Sequence, residues 1–189
     1  MTWSPPTVKE RQAFLRQIEE RCAQELMLCY QCGKCTAGCP VAFSMDYPPH
    51  QIMRGVQLGM RDTVLRSNTI WLCAACETCS TRCPQGVDVA AVMDALRQIA
   101  LLEGVRSSES DVPLFHRLFL ASIQRHGRVF ETTMLGLYNV LSGHYFKDVL
   151  MAPKMLAKRK LGFLPPKRGN TQKVREAFRK ARELERQLG

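Results

Sequence analysis

Apolar residues return every three or four positions through most of this chain, and no run alternates cleanly at period two. The pattern predicts a mostly α-helical protein. Thr7-Val8-Lys9-Glu10 has the form of a capping box and opens a helix. Phe14, Leu15, Ile18, Cys22 and Leu26 then fall on one face at helical spacing. Pro48 and Pro49 suit the first turn of a second helix, whose apolar stripe is Ile52, Met53, Val56 and Met60. A short polar stretch leads from there to Ile70-Trp71-Leu72. Asp88 can cap a third helix that buries Val89, Val92, Met93, Leu96, Ile99 and Ala100, with Gly104 ending it.

Ser107 to Pro113 is a polar break and a candidate boundary. Helical segments rich in Phe, Leu and Met follow at Leu114–Ile123 and Val129–Leu141, and they bury too little on their own to make an obvious independent domain. Pro153 to Arg168 interleaves basic and apolar residues, Phe163 among them, and reads as an extended docking arm. Thr171 to Leu188 returns to helix, with Val174, Phe178, Ala181 and Leu188 roughly on one side. The expected organisation is one domain over residues 1–106 and a helical, basic docking extension over 107–189.

The chemistry sits between the first helices. Cys29, Cys32, Cys35 and Cys39 precede Pro40, and Cys73, Cys76, Cys79 and Cys83 precede Pro84. Each run reads C-x2-C-x2-C-x3-C-P, the bacterial iron–sulfur pattern, and the copies lie 44 residues apart. Three cysteines spaced by two residues can wrap one corner of a [4Fe–4S] cube. The fourth is carried out of the loop, and the proline after it, with fixed φ and no N–H, turns the chain away. In two-cluster ferredoxins that fourth cysteine ligates the other cluster. The expected sets are therefore Cys29, Cys32, Cys35 and Cys83 for the first cluster, and Cys73, Cys76, Cys79 and Cys39 for the second. A zinc-binding adaptor is the weaker alternative, because zinc sites use two separated ligand pairs. Gly33 and Gly38 would let backbone N–H groups approach cluster sulfurs, and Trp71 would shield a cluster from water. Cys22 reads as a small apolar core residue, and His50, His116, His126 and His144 as surface or interface residues. Lys34 in the first triplet and Glu77 in the second predict a higher potential for the first cluster, since a cation favours reduction.

Charge changes the picture only for the tail. Residues 1–146 carry 14 Lys and Arg against 13 Asp and Glu, whereas residues 147–189 carry 13 against 4. The net charge of +10 is thus a property of the tail. Two bound clusters would lower it by about 4. No recognition module accompanies the basic residues, so no nucleic-acid partner is expected. No run approaches the length of apolar sequence that spans a bilayer, and Met1-Thr2-Trp3-Ser4-Pro5-Pro6 has no secretory pattern, so the expected location is cytoplasmic. A Gly-rich dinucleotide fingerprint, a flavin motif and a nucleophile–base constellation are all missing from the sequence, which argues against a self-contained reductase.

The two runs with helices between them resemble the α-helical ferredoxin modules of succinate dehydrogenase iron–sulfur proteins. More specifically, they resemble the C-type iron–sulfur subunits of heterodisulfide reductase (the HdrC-like family). The likeness covers roughly residues 25–168. It is carried by Cys29-Tyr30-Gln31-Cys32-Gly33-Lys34-Cys35, by Ile70-Trp71-Leu72-Cys73, and by Gly127-Arg128-Val129-Phe130-Glu131 and Ala152-Pro153-Lys154-Met155-Leu156. The resemblance implies an α-helical ferredoxin holding two [4Fe–4S] clusters. It implies a relay from a flavin-containing partner, resembling the A-type subunit of heterodisulfide reductase, to a catalytic partner resembling the B-type subunit. That catalytic partner carries adjacent cysteines and reduces the coenzyme M–coenzyme B heterodisulfide; the present chain has no Cys-Cys pair. The same relay also suits another redox complex, succinate/fumarate reductase-like or quinone-linked.

Overall fold

In the computed structural model, residues 5–105, 109–145, 154–155, 158 and 171–188 are described. Helix α1 (Val8–Cys22) starts where the sequence places it. Thr7 Oγ1 accepts from the Glu10 backbone N–H at 3.3 Å, and Glu10 Oε2 accepts from the Thr7 backbone N–H at 2.8 Å. Ala23, at φ 51°, ends the helix in the left-handed region. Leu26 therefore does not continue the α1 stripe. It is buried from a separate 3₁₀ turn, Leu26–Leu28, while Cys22 is only half-buried at the helix end.

The first cysteine loop contains a short helix, α2 (Lys34–Ala37). Beyond it, α3 (Pro49–Leu58) opens behind Pro48 and buries Ile52, Met53 and Val56. Gly59 stops α3 at φ 73°, so Met60 lies beyond the helix and off its stripe. Gly59 has a second constraint: a Cβ there would lie 2.8 Å from Arg11 Cα. The close approach of α1 to α3 depends on this residue having no side chain.

The stretch read as polar is helical. In α4 (Arg61–Arg66), Val64 and Leu65 are buried, and α5 (Thr69–Leu72) buries Thr69, Ile70 and Trp71. Two apolar residues among charged ones gave too weak a period to announce α4. A further short helix, α6 (Thr78–Thr81), belongs to the second cysteine loop. Helix α7 (Val89–Leu102) begins at Asp88, whose carboxylate accepts from Ala91 N at 3.0 Å. Helices α1, α3, α4 and α5 pack around one core in which α1, α4 and α5 touch α7 and α3 touches α1 and α4. Ile18, Ile52, Met53, Leu65, Met93 and Leu96 are among its largest fully buried members.

The chain divides into two units between Ser110 and Asp111. In the second, α8 (Asp111–His126) tolerates Pro113 in its first turn, where backbone N–H groups have no helical partner. Helices α9 (Glu131–Leu141) and α10 (Thr171–Leu188) also belong to it, and α8 packs on both. Phe115 stacks on Phe119 at 6.1 Å and meets Tyr138 edge-on at 5.8 Å. Met134 is the only buried apolar side chain among the described residues of this unit. The docking arm read at Pro153–Arg168, with Phe163, lies outside the described residues apart from 154–155 and 158. Among the described residues there is no strand, and no helix is long and apolar enough to cross a membrane.

Candidate metal centre

Two loops of the same design lie in the first unit. The first leaves the Leu26–Leu28 turn at Cys29, passes Gln31 at φ 65° and Gly33 at φ 75°, and enters α2, which carries Cys35. The second leaves α5 at Cys73, passes Ala75 at φ 49° and Glu77 at φ 58°, and enters α6, which carries Cys79. Left-handed residues thus fall at equivalent places in both. Such turns gather successive backbone N–H groups into concavities that hold anions, iron–sulfur clusters included. Gln31, Ala75 and Glu77 hold this conformation without being glycine, a local strain of the kind that clusters at functional sites.

At Gly33 a Cβ would meet no atom within 4 Å, so the glycine serves backbone conformation there rather than close approach. Gly38 serves space: a Cβ would lie 2.8 Å from the Arg82 side chain, which crosses from the second loop. Helices α2 and α6 pack directly on each other and bring the loops together.

One cavity is lined by Cys39, Cys73, Cys76 and Cys79, with Val41, Met45, Pro49, Ala90 and Met93 as its apolar wall. Cys39 comes from the first run, and the other three cysteines from the second. Burial, then Cys32 and Cys83, push the Tyr30 hydroxyl up, the two thiols coming one from each run. Burial pushes the thiols of Cys35, Cys73 and Cys79 up, whereas the Thr78 hydroxyl beside Cys76 draws that thiol down. Cys35 is buried, Cys32 and Cys76 reach the surface, and the remaining members of the runs are half-buried. Among the described residues, no three His, Cys, Asp or Glu side chains converge tightly enough to hold a single ion. Eight thiols in two loops supply four ligands to each of two [4Fe–4S] clusters.

Residues that the sequence did not single out hold the loops in place. Gln57 is 3% exposed, and its side-chain amide donates to Leu26 O at 3.1 Å and Cys29 O at 2.8 Å. Arg97 Nη1 donates to Cys73 O at 3.3 Å. Each run therefore has the carbonyl of its first cysteine held by a side chain from a core helix. Gln31 Nε2 also donates to Cys29 Sγ at 3.4 Å.

Further contacts brace the ends. The His50 backbone N–H donates to Thr36 Oγ1 at 3.1 Å, tying α3 to α2. Asp46 accepts from Asn68 N at 2.9 Å and Thr69 Oγ1 at 2.8 Å, tying the exit of the first loop to α5. Ser80 donates to Asp88 at 2.6 Å, linking α6 to the cap of α7. Trp71 is 4% exposed just before the second loop. Lys34 and Glu77 are both exposed, so water and salt screen the charges from which a potential difference was expected. His116 and His144 are exposed, and His144 lies 3.6 Å from Asp111.

Residues 25–87 match the family described as 4Fe-4S dicluster domain. The class this defines is a helical protein holding two [4Fe–4S] clusters. Over 102 residues the chain is 41% identical to the C-type iron–sulfur subunit of CoB–CoM heterodisulfide reductase from Methanopyrus kandleri, covering 53% of each chain. It is 36% identical over 110 residues to a second form of that C-type subunit, from Methanocaldococcus jannaschii, covering 58% of this chain and 55% of the relative. With the C-type subunit of the ferredoxin:CoB-CoM heterodisulfide reductase of Methanosarcina acetivorans the identity is 45% over 78 residues, covering 41% of this chain and 31% of the relative. The chain thus carries a domain for two [4Fe–4S] clusters and is similar over about half its length to the C-type subunits of heterodisulfide reductase. It spans about half the length, or less, of these curated relatives.

Proposed function

We propose that this protein is the electron relay of a heterodisulfide reductase-like complex, working in the cytoplasm. One cluster is held by Cys29, Cys32, Cys35 and Cys83, and the other by Cys73, Cys76, Cys79 and Cys39. The observation that carries the reading is the cavity in which Cys39 joins the three cysteines of the other run. Each bound cluster supplies a one-electron store that takes up no proton. The chain's own residues do the rest. Gln57 and Arg97 fix the first carbonyl of each run, and Val41, Met45 and Met93 keep water from the second cavity. Cys32 and Cys76 reach the surface, so each loop offers one ligand edge to a partner.

The donor is a flavin and iron–sulfur protein resembling the A-type subunit of heterodisulfide reductase. The acceptor is a disulfide-reducing protein resembling its B-type subunit. The relatives' names support membership of such a complex. Residues 107–189 act as the docking extension. Exposed Leu120, Leu135, Leu137, Val140 and Leu141, together with the basic tail, support that role.

Anaerobically purified protein should be brown, with about eight iron atoms per chain. A colourless protein containing zinc overturns the relay. A chain truncated after Arg106 should keep both clusters and lose its partners on copurification. Retention of partners at native stoichiometry refutes the docking role.

A further inference from the structure

The two loops repeat each other's backbone but not each other's charge. In the first half the carbonyl of the leading cysteine, Cys29, accepts from a neutral amide, Gln57. In the second half the corresponding carbonyl, Cys73, accepts from a guanidinium, Arg97. The Arg97 side chain is 13% exposed, and it also pairs with the carboxylate of Asp94, whose side chain is 57% exposed. Solvent screens the carboxylate far more than the cation beside the loop. The two charges therefore do not cancel at Cys73, and a net positive field remains there.

Resting on the two-cluster reading above, we propose that Arg97, with Asp94 as its counter-ion, raises the reduction potential of the cluster held by Cys73, Cys76 and Cys79. Reduction adds one electron to the cluster, taken from a one-electron donor, and neither makes nor breaks a bond or moves a proton. The added negative charge is stabilised by the nearby cation, so reduction becomes easier. Exposed Lys34 and Glu77 contribute little beside a cation held against the loop's own backbone. The second loop thus has a cation held against its own backbone from the core side rather than on the loop surface.

The test uses the full chain with both clusters assembled anaerobically, iron counted, and a dithionite titration followed by EPR. Cys76→Ala, which removes a ligand from the second triplet, identifies the second cluster's potential. Arg97→Gln keeps an amide donor for the Cys73 carbonyl, as Gln57 does for Cys29, but removes the charge. It should lower the second potential and leave the first unmoved. Arg97→Lys keeps the charge and should stay near wild type. Asp94→Asn removes the counter-ion and should raise the second potential. Iron-replete Arg97→Gln with an unchanged second potential, or with both potentials falling equally, overturns the proposal. So does an Asp94→Asn whose second potential stays still or falls, and this arm decides alone if Arg97→Gln loses its cluster. A wild-type chain that binds no iron overturns the two-cluster reading itself, an outcome distinct from failure of the charge argument.

Discussion

Replacing Gln57 with leucine tests how the first loop is held. The side chain is 3% exposed, and its amide donates to Cys29 O at 2.8 Å and Leu26 O at 3.1 Å. Leu26 O also accepts from Cys29 N at 3.3 Å, so it keeps a partner when the amide is gone. The Cys29 carbonyl loses the donor aimed at it. An acceptor left half-buried without its donor costs about 1–3 kcal/mol, and the second lost bond adds about 1. The sum is about 2–4 kcal/mol, localised at the start of the first run. Cluster binding and folding share their free energy, so this loss appears as easier opening of that loop. At tenfold per 1.4 kcal/mol, the opened population rises roughly 30- to 700-fold. Anaerobic iron release to a chelator reads it out. Half of the iron should leave at least about tenfold faster in Gln57→Leu, while the other half keeps its wild-type rate. Unchanged release, or equal acceleration of both halves, refutes the assignment of Gln57 to the first loop.

Two further predictions rest on the same geometry. Cys39→Ala should remove the cluster of the second run and spare that of the first, as judged by Mössbauer spectra and iron counts; selective loss of the first-run cluster would contradict crosswise ligation. Gly59→Ala should destabilise the fold by at least about 1–2 kcal/mol, the left-handed penalty at φ 73°, with more added by a Cβ 2.8 Å from Arg11 Cα. Chemical denaturation measures this, and a midpoint within error of wild type would mean that α1 and α3 are not locked together at Gly59.

The sequence by itself determined the helical class, several element starts and the identity of the metal-binding chemistry. Each of these is a local matter. Thr7 and Glu10 satisfy each other three residues apart, Pro48 and Pro49 fit a helix start, and Asp88 caps Ala91. The cysteine spacing likewise encodes the loop within a dozen residues. Where the local period was short, as in α4, or broken by a left-handed residue, as at Ala23, the boundaries went astray.

The tertiary structure alone decided what surrounds the cysteines. Gln57 meets Cys29 across 28 positions and Arg97 meets Cys73 across 24, and no sequence period links such pairs. Their proximity comes from α3 and α7 packing in a common core, which turns one polar side chain of each helix towards a loop. The weight of a charge was also hidden from the sequence. Lys34 and Glu77 are near the cysteines in sequence but exposed to screening water, whereas Arg97 is distant in sequence and sheltered against the backbone of Cys73. Screening depends on burial, and burial is a property of the assembled helices rather than of any stretch of chain.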